Sequence, residues 1–324
     1  MAIKEAKRQA VPLMIGLAGT SGSGKTFSAL LMAAGLAGEG GKVGFIDTEL
    51  GRGAMYADDE TIIEAMPEGK YYISDMTAPF TPAKYVKAIK EFISYDVNVL
   101  VIDSATHEWE GSGGCQDIAE NNKLRGMPNW AMAKMEHKKL MNILTQCPMH
   151  IISCLRAREK TKPVKNPDTG KIEMVQEGLQ PIQEKNFMFD MTLSMMFDET
   201  APGKPKILKC PKPLNHLFQG ESSLVTKVVG EKLKAWSDGG EAIDKVVRNL
   251  RREFRDAAAG GNDYLKAIHQ RVENEDKSLL REIWTAEFAD ELKSIAKEAD
   301  QISLNQDESD QEENPESNKL IINN

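Results

Sequence analysis

The chain is predicted to be an α/β protein whose core is a mostly parallel sheet flanked by helices. Three observations predict it. The apolar run Leu13-Met14-Ile15-Gly16-Leu17-Ala18 leads into a glycine-rich turn, and Phe27 to Ala37 (FSALLMAAGLA) behind that turn is rich in strong helix formers. Two more apolar runs, Lys42 to Asp47 (KVGFID) and Val97 to Asp103 (VNVLVID), each end in a carboxylate. Segments of helical periodicity stand between the runs. Continuous apolar runs, as opposed to alternating ones, are the pattern of strands buried on both faces, which is what parallel sheets covered by helices require.

At 324 residues the chain exceeds the usual single-domain size, so a large domain with a smaller one is expected. The expected division is an arm over 1–10, an α/β core over 11–220, a linker over 221–240, a helical region over 241–300 and a disordered acidic tail over 301–324. Hydrophobic and charged fractions of 41% and 28% are those of an ordinary soluble protein. A net charge of −8 excludes wholesale coating of nucleic acid but leaves local basic patches open. Cys115, Cys147, Cys154 and Cys210 lack C-x-x-C or Cys/His ligand spacing, which predicts free buried thiols in a reducing cytoplasm. Lys4, Lys7 and Arg8 ahead of Val11 to Ala18 imitate a signal peptide. That apolar stretch runs directly into the glycine loop, where cleavage would destroy the motif, so no signal sequence is expected. No apolar run approaches the length of a membrane span.

The loop itself, Gly19-Thr20-Ser21-Gly22-Ser23-Gly24-Lys25-Thr26, fits G-x-x-x-x-G-K-[ST] at every position, between the strand and helix that the motif requires. Its glycines let the backbone turn tightly and aim N–H groups inward, and the following helix adds its positive dipole end. A nucleoside triphosphate is the expected ligand. Lys25 would reach the β- and γ-phosphates, and the Thr26 hydroxyl would take one position on Mg²⁺.

Downstream, Gly38-Glu39-Gly40-Gly41 is a turn, and the second strand ends in Asp47-Thr48-Glu49 before Leu50-Gly51-Arg52-Gly53. Carboxylates at the carboxyl end of a parallel strand lie at the ligand edge of the sheet. Asp47 and Glu49 share a face if extended, so one could aim at the nucleotide while the other supports it. Tyr71 to Ser74 is a short third strand, and Pro82 to Tyr95 a helix with Val86, Ile89, Phe92 and Ile93 on one face. Asp103 ends the next strand and is the expected Mg²⁺ carboxylate opposite Thr26. His107 to Pro128 is a long functional loop with a helical piece near Gln116 to Asn122. Trp130 to Gln146 is a helix whose methionines pack the core, and His137 on it has a structural role.

His150 to Leu155 is another buried strand. It leads into a basic segment with Arg156, Arg158, Lys160, Lys162, Lys165 and Lys171, set against Glu159 and Asp168, with a good turn at Asn166 to Gly170. This segment is the candidate nucleic-acid contact. Phe189 to Phe197 and Lys206 to Lys209 are closing strands. Ser237-Asp238-Gly239-Gly240 is linker-like. Helices follow over Glu241 to Ala259, Asp263 to Asn274 and Ser278 to Ala299, with Lys245, Arg248, Arg252 and Arg255 on one face, either solvated or a partner surface. From Gln301 the chain is polar and acidic, which predicts disorder.

The run GTSGSGKT, DTELGRG, VIDSATHEWEG and HIISCLR resembles phage-encoded RecA-like P-loop ATPases of the AAA type, some of which act as single-strand DNA recombinases or annealing factors. The resemblance covers about Val11 to Gly220. It implies a RecA-like core, ATP and Mg²⁺ as ligands, and Lys25 and Thr26 on phosphate and metal. It also implies Asp103 supporting Mg²⁺ and Glu49 activating the attacking water. The loops at His107 to Pro128 and Arg156 to Leu179 fall where that family's two DNA-binding loops lie. Single-stranded DNA, a homo-oligomer and a single-strand binding protein are the implied partners, with no membrane. The implied location is the cytoplasm of a bacterial host. One departure stands out: the glutamine that senses the γ-phosphate in RecA has no counterpart, and Cys154 stands near its place. Alternatives from other classes are a P-loop kinase of a small metabolite, with Arg156 and Arg158 as a phosphate-gripping lid, and an ATP-driven assembly or packaging switch.

Overall fold

The computed structural model describes residues 10–165, 170–218, 224–239, 245–275, 277, 280 and 283–312. The chain divides into two compact units, one within Arg8–Glu241 and one within Ala242–Asn324.

The first unit is built on one sheet. Its strands are β1 (Met14–Gly19), β2 (Val43–Asp47), β3 (Tyr72–Asp75), β4 (Val99–Asp103), β5 (His150–Lys165), β6 (Ile172–Pro181), β7 (Leu193–Phe197) and β8 (Lys206–Lys209). They lie in the order β3-β2-β4-β5-β1-β7-β8, with β6 paired to β5 outside that row. Every pairing from β3 across to β7 is parallel, and β8 closes the edge antiparallel to β7. This is the mostly parallel α/β architecture expected of a RecA-like core. Each strand of the continuous apolar runs is buried along its whole length, as in β1, β2 and β4. Helices supply the cover. On one face α1 (Lys25–Ala37) packs its Leu30, Met32 and Leu36 against Leu17, Phe45 and Val101. On the other, α3 (Pro82–Ser94) and α6 (Trp130–Thr145) pack Ile89, Phe92, Leu140 and Leu144 against Ile46, Leu100 and Ile151.

The register sets the ligand edge. Asp47 of β2 is level with Asp103 of β4, Asp103 with Cys154 of β5, and Gly19 of β1 with Arg156 of β5. The strand carrying the glycine loop is therefore separated from the strand carrying Asp103 by β5 alone. Shorter helices complete the layers: α2 (Glu60–Ala65), α4 (Thr106–Glu110), α5 (Cys115–Asn121) and α7 (Phe187–Asp190). In the stretch from His107, the helical piece expected near Gln116 to Asn122 is present as α5, while α4 is an added helix at its start, and part of the predicted strand from Phe189 belongs instead to α7.

Two boundaries differ from expectation. The predicted linker contains a helix, α8 (Lys227–Asp238), packed on α1. Val225, Val229 and Leu233 recur every fourth residue, with Trp236 three further on, and all join the same core as α1. That apolar stripe holds the segment down where a linker was expected. The second unit contains α9 (Lys245–Ala258), α10 (Asn262–Glu275) and α11 (Ala286–Glu312), around Phe254, Leu265, Ile283, Phe288 and Leu292. The last helix continues to Glu312, well past Gln301 where disorder was expected; residues 313–324 lie outside the described residues. Arg255, placed on a basic face from sequence, pairs with Glu291 at 2.7 Å and lies over the Phe288 ring. The side chains of Lys245 and Arg248 are outside the described residues.

The α1–α8 contact is a close backbone approach at two glycines. A Cβ on Gly230 would meet the Met32 carbonyl oxygen at 2.2 Å, and one on Gly35 would meet the Lys227 carbonyl oxygen at 2.1 Å. Gly230→Ala gains about 1 kcal/mol of helix propensity. The obstruction is backbone that cannot rotate away, so overpacking of about 1–3 kcal/mol should dominate. A lower urea midpoint with an unchanged slope is the expected result; an unchanged or raised midpoint would show that the two helices can part without cost.

Candidate nucleotide site

The glycine loop bridges β1 and α1. Gly24 sits at φ 81° just ahead of α1, a left-handed conformation that favours glycine, and it turns the chain so that the helix opens at Lys25. Ser23 is fully buried and its hydroxyl donates to the Thr20 carbonyl at 2.8 Å, bracing the loop from within. Lys25 Nζ donates to the same carbonyl at 2.6 Å. Burial holds the Lys25 pKa below that of an ordinary lysine, with the charges of Asp103 and Glu49 pulling the other way.

Thr26 Oγ1 donates to Asp103 Oδ2 at 2.5 Å. The motif hydroxyl and the strand-end carboxylate, 77 positions apart, are therefore in direct contact. Asp103 is buried, which pushes its pKa up to about 6, the Thr26 hydrogen bond opposing that shift. An oxygen pair of this kind beside the glycine loop fits Mg²⁺, a hard cation that takes hydroxyl and carboxylate oxygens.

Asp47 and Glu49 turn out to have separate tasks. Asp47 is buried and accepts the backbone N–H of Glu49 at 2.6 Å and of Gly53 at 2.7 Å. Both carboxylate oxygens are spent on shaping the turn, and Asp47 is the supporting group. Glu49 faces the cleft instead. Its Oε1 accepts from Arg156 Nε at 2.8 Å and pairs with Nη2 at 2.6 Å, and its Oε2 accepts from Arg52 at 3.2 Å. Thr48 between them binds its backbone N–H to the Asp103 carbonyl at 2.8 Å and its hydroxyl to His107 Nδ1 at 2.7 Å. These contacts lock the end of β2 to the end of β4.

Together these groups line one cleft of about 810 Å³, whose walls include Lys25, Thr26, Glu49, Tyr56, Asp103 and Arg156. Sequence reasoning assembled four of the six. It placed Arg156 on the nucleic-acid segment or, in the kinase alternative, on a phosphate-gripping lid; the side chain lies against Glu49, because the level register of Arg156 with Gly19 sets it at the ligand edge. Arg52 and Tyr56 were missed. The signal for Arg52 was its place in the glycine-bearing turn three residues after Glu49.

A sequence profile describing an AAA domain matches residues 11–227. The chain belongs to this AAA-domain family. Family members of this kind are P-loop ATPase domains, which bind ATP. The matched span of the AAA domain contains every strand of the sheet and both partners of the Thr26–Asp103 contact. Among solved structures, a KaiC-like protein from the hyperthermophilic archaeon Pyrococcus horikoshii OT3 is similar at 18% identity. Its TM-score is 0.35, and the match covers 65% of this chain and 90% of that one. No curated protein sequence matches the chain.

The remaining basic residues of the predicted contact segment lie on an arm. Beyond Leu155, β5 leaves the core and pairs with β6 as an exposed antiparallel hairpin. Residues 166–169 of the predicted turn lie outside the described residues. Arg158 pairs with Glu110 at 3.7 Å, and Lys160 and Lys162 share Glu177 at 3.8 and 3.9 Å. The arm is thus less cationic than its sequence segment, because β6 brings Glu173 and Glu177 alongside. At its base a second cavity of about 860 Å³ is lined by Trp109, Arg158, Lys160, Lys185, Phe189 and Lys209, among others. Trp109 stacks on Trp130 with ring centroids 6.2 Å apart, and Phe189 is largely exposed. Among the described residues no helix is long and apolar enough to cross a membrane.

Proposed function

We propose that this AAA-domain protein hydrolyses ATP and acts on single-stranded DNA in recombination or annealing, as a homo-oligomer of the phage RecA-like type. The observation that carries the reading is the course of β5. One continuous strand offers Arg156 to the nucleotide cleft and, two and four residues on, Arg158 and Lys160 to the aromatic, basic cavity. A strand shared in this way gives ATP state and a polyanion a common structural element.

In the cleft, Lys25 would leave the Thr20 carbonyl for the β- and γ-phosphates. The loop N–H groups and the start of α1 would cradle the remaining phosphate oxygens. Thr26 and Asp103 would hold Mg²⁺, which supplies charge neutralisation across the phosphates when bound. Glu49 would orient the attacking water, a role that requires Arg156 to release it. Hydrolysis would then depend on positioning and on fixed charge.

For DNA, Trp109 and Phe189 offer flat faces on which bases stack, and the arm offers cations for the backbone. Affinity should fall with salt, with a log–log slope of about −0.7 per phosphate contacted. Replacing Lys160, Lys162 and Lys165 together with Ala should flatten that slope and leave ATP binding intact. ATP turnover measured with and without single-stranded DNA tests the whole reading, and stimulation is expected. A protein that binds no DNA in either nucleotide state would retire it in favour of a small-molecule kinase or an assembly switch.

A further inference from the structure

Apart from the nucleotide cleft, the first unit contains a buried polar cluster that ATP chemistry does not use. Glu108 of α4, Cys115 of α5 and His137 of α6 bring one ligand atom each to within 4.8 Å of one another, and all three are buried. Cys115 Sγ lies 3.1 Å from Glu108 Oε1, and His137 Nδ1 lies 3.1 Å from both carboxylate oxygens. Among the described residues no other three His, Cys, Asp or Glu side chains converge in this way.

We propose that Glu108, Cys115 and His137 form a binding site for a zinc ion, or a divalent cation of like softness, that ties the three helices together. The donor set decides the class of metal: one sulfur, one imidazole nitrogen and one carboxylate oxygen suit zinc and exclude magnesium or calcium. The geometry suits it as well. Bonds of about 2.0 to 2.3 Å place the ligand atoms of a tetrahedral zinc roughly 3.3 to 3.6 Å apart. The observed separations from Glu108 need to open by only a few tenths of an ångström. Charge also balances, since a divalent ion against one thiolate and one carboxylate leaves the buried site neutral.

An outer partner is in place. Gln183 donates through Nε2 to Glu108 Oε2 at 3.1 Å and to the Ala105 carbonyl at 2.8 Å. Such a contact fixes the orientation of a ligating carboxylate. Three protein ligands leave the fourth position to a water molecule. On binding, the Cys115 thiol loses its proton to solvent and the His137 ring binds as neutral imidazole through Nδ1, so affinity should rise with pH. The site would stiffen the wall of the aromatic cavity, because Trp109 packs edge-on against the His137 ring at 5.5 Å.

The test uses the full chain. Elemental analysis after growth with added zinc should find about one zinc per chain. Titrating the chelated protein with Co²⁺ should produce a near-ultraviolet thiolate-to-cobalt band. Cys115→Ser should abolish the band, whereas Cys210→Ser, at a half-buried cysteine outside the cluster, should keep it. If Cys115→Ser fails to fold, the wild-type protein still decides: chelation should lower its melting temperature, and zinc alone should restore it. Wild-type protein without zinc, without the cobalt band and indifferent to chelation would overturn the proposal. The cluster would then be a buried hydrogen-bond network in which Glu108 is contacted by His137, Cys115 and Gln183.

Discussion

Lys25→Ala is expected to weaken nucleotide binding by roughly 30- to 4,000-fold, the equivalent of about 2–5 kcal/mol for removing one partner of a desolvated charge contact. Without nucleotide, Lys25 Nζ donates to a carbonyl of its own loop, that of Thr20, at 2.6 Å. Its loss should therefore leave the unliganded fold nearly as stable as before. The two states can be compared in a single melting experiment, because a ligand that binds only the folded chain raises its melting temperature in proportion to occupancy. Wild-type protein should show a nucleotide-dependent rise, and the variant should show almost none at the same concentration while melting normally in its absence. A full nucleotide-induced rise in the variant would remove Lys25 from the phosphate site.

The core was legible in the sequence because each of its determinants is local. The glycine loop is contiguous, and the runs before Asp47 and Asp103 announce fully buried strands by lacking polar alternation. Their carboxylates follow at the strand ends, where a parallel sheet collects its ligand groups. What sequence reading could not supply was pairing between distant segments. The Arg156–Glu49 contact joins residues 107 positions apart; the end of its strand put Arg156 at the ligand edge, but its pairing with Glu49 shows only once β5 lies in parallel register with β1. The same limit hid Glu108 as the partner of His137, 29 positions away. The acidic strand that offsets the arm's lysines was hidden for another reason. Charges counted along one segment ignore Glu173 and Glu177, which pairing with β6 brings alongside. The helix α8 was a different kind of omission. Its apolar spacing was visible, but the Ser- and Gly-rich ends drew the stretch into a linker.

Glu49→Gln should retain ATP binding and lose hydrolysis by about 10²–10⁴-fold, the usual contribution of a positioned general base. The amide keeps the shape of the side chain but cannot draw a proton from water. Binding should hold or tighten, because the substitution removes a negative charge from a cleft that must accept phosphates and frees Arg156, now bound to Glu49 at 2.6 Å. Asp47→Asn should behave in the opposite sense. Both Asp47 oxygens accept backbone N–H groups, from Glu49 and Gly53. An amide can satisfy one of these and turns its own NH₂ toward the other, which costs about 1–3 kcal/mol where a buried donor is left unpaired. The expected signature is a lower melting temperature with a smaller loss of turnover than in Glu49→Gln. Measuring turnover and melting for both variants side by side separates the roles. If Asp47→Asn lost more hydrolysis than Glu49→Gln at equal nucleotide occupancy, Asp47 would be the base and Glu49 its electrostatic neighbour.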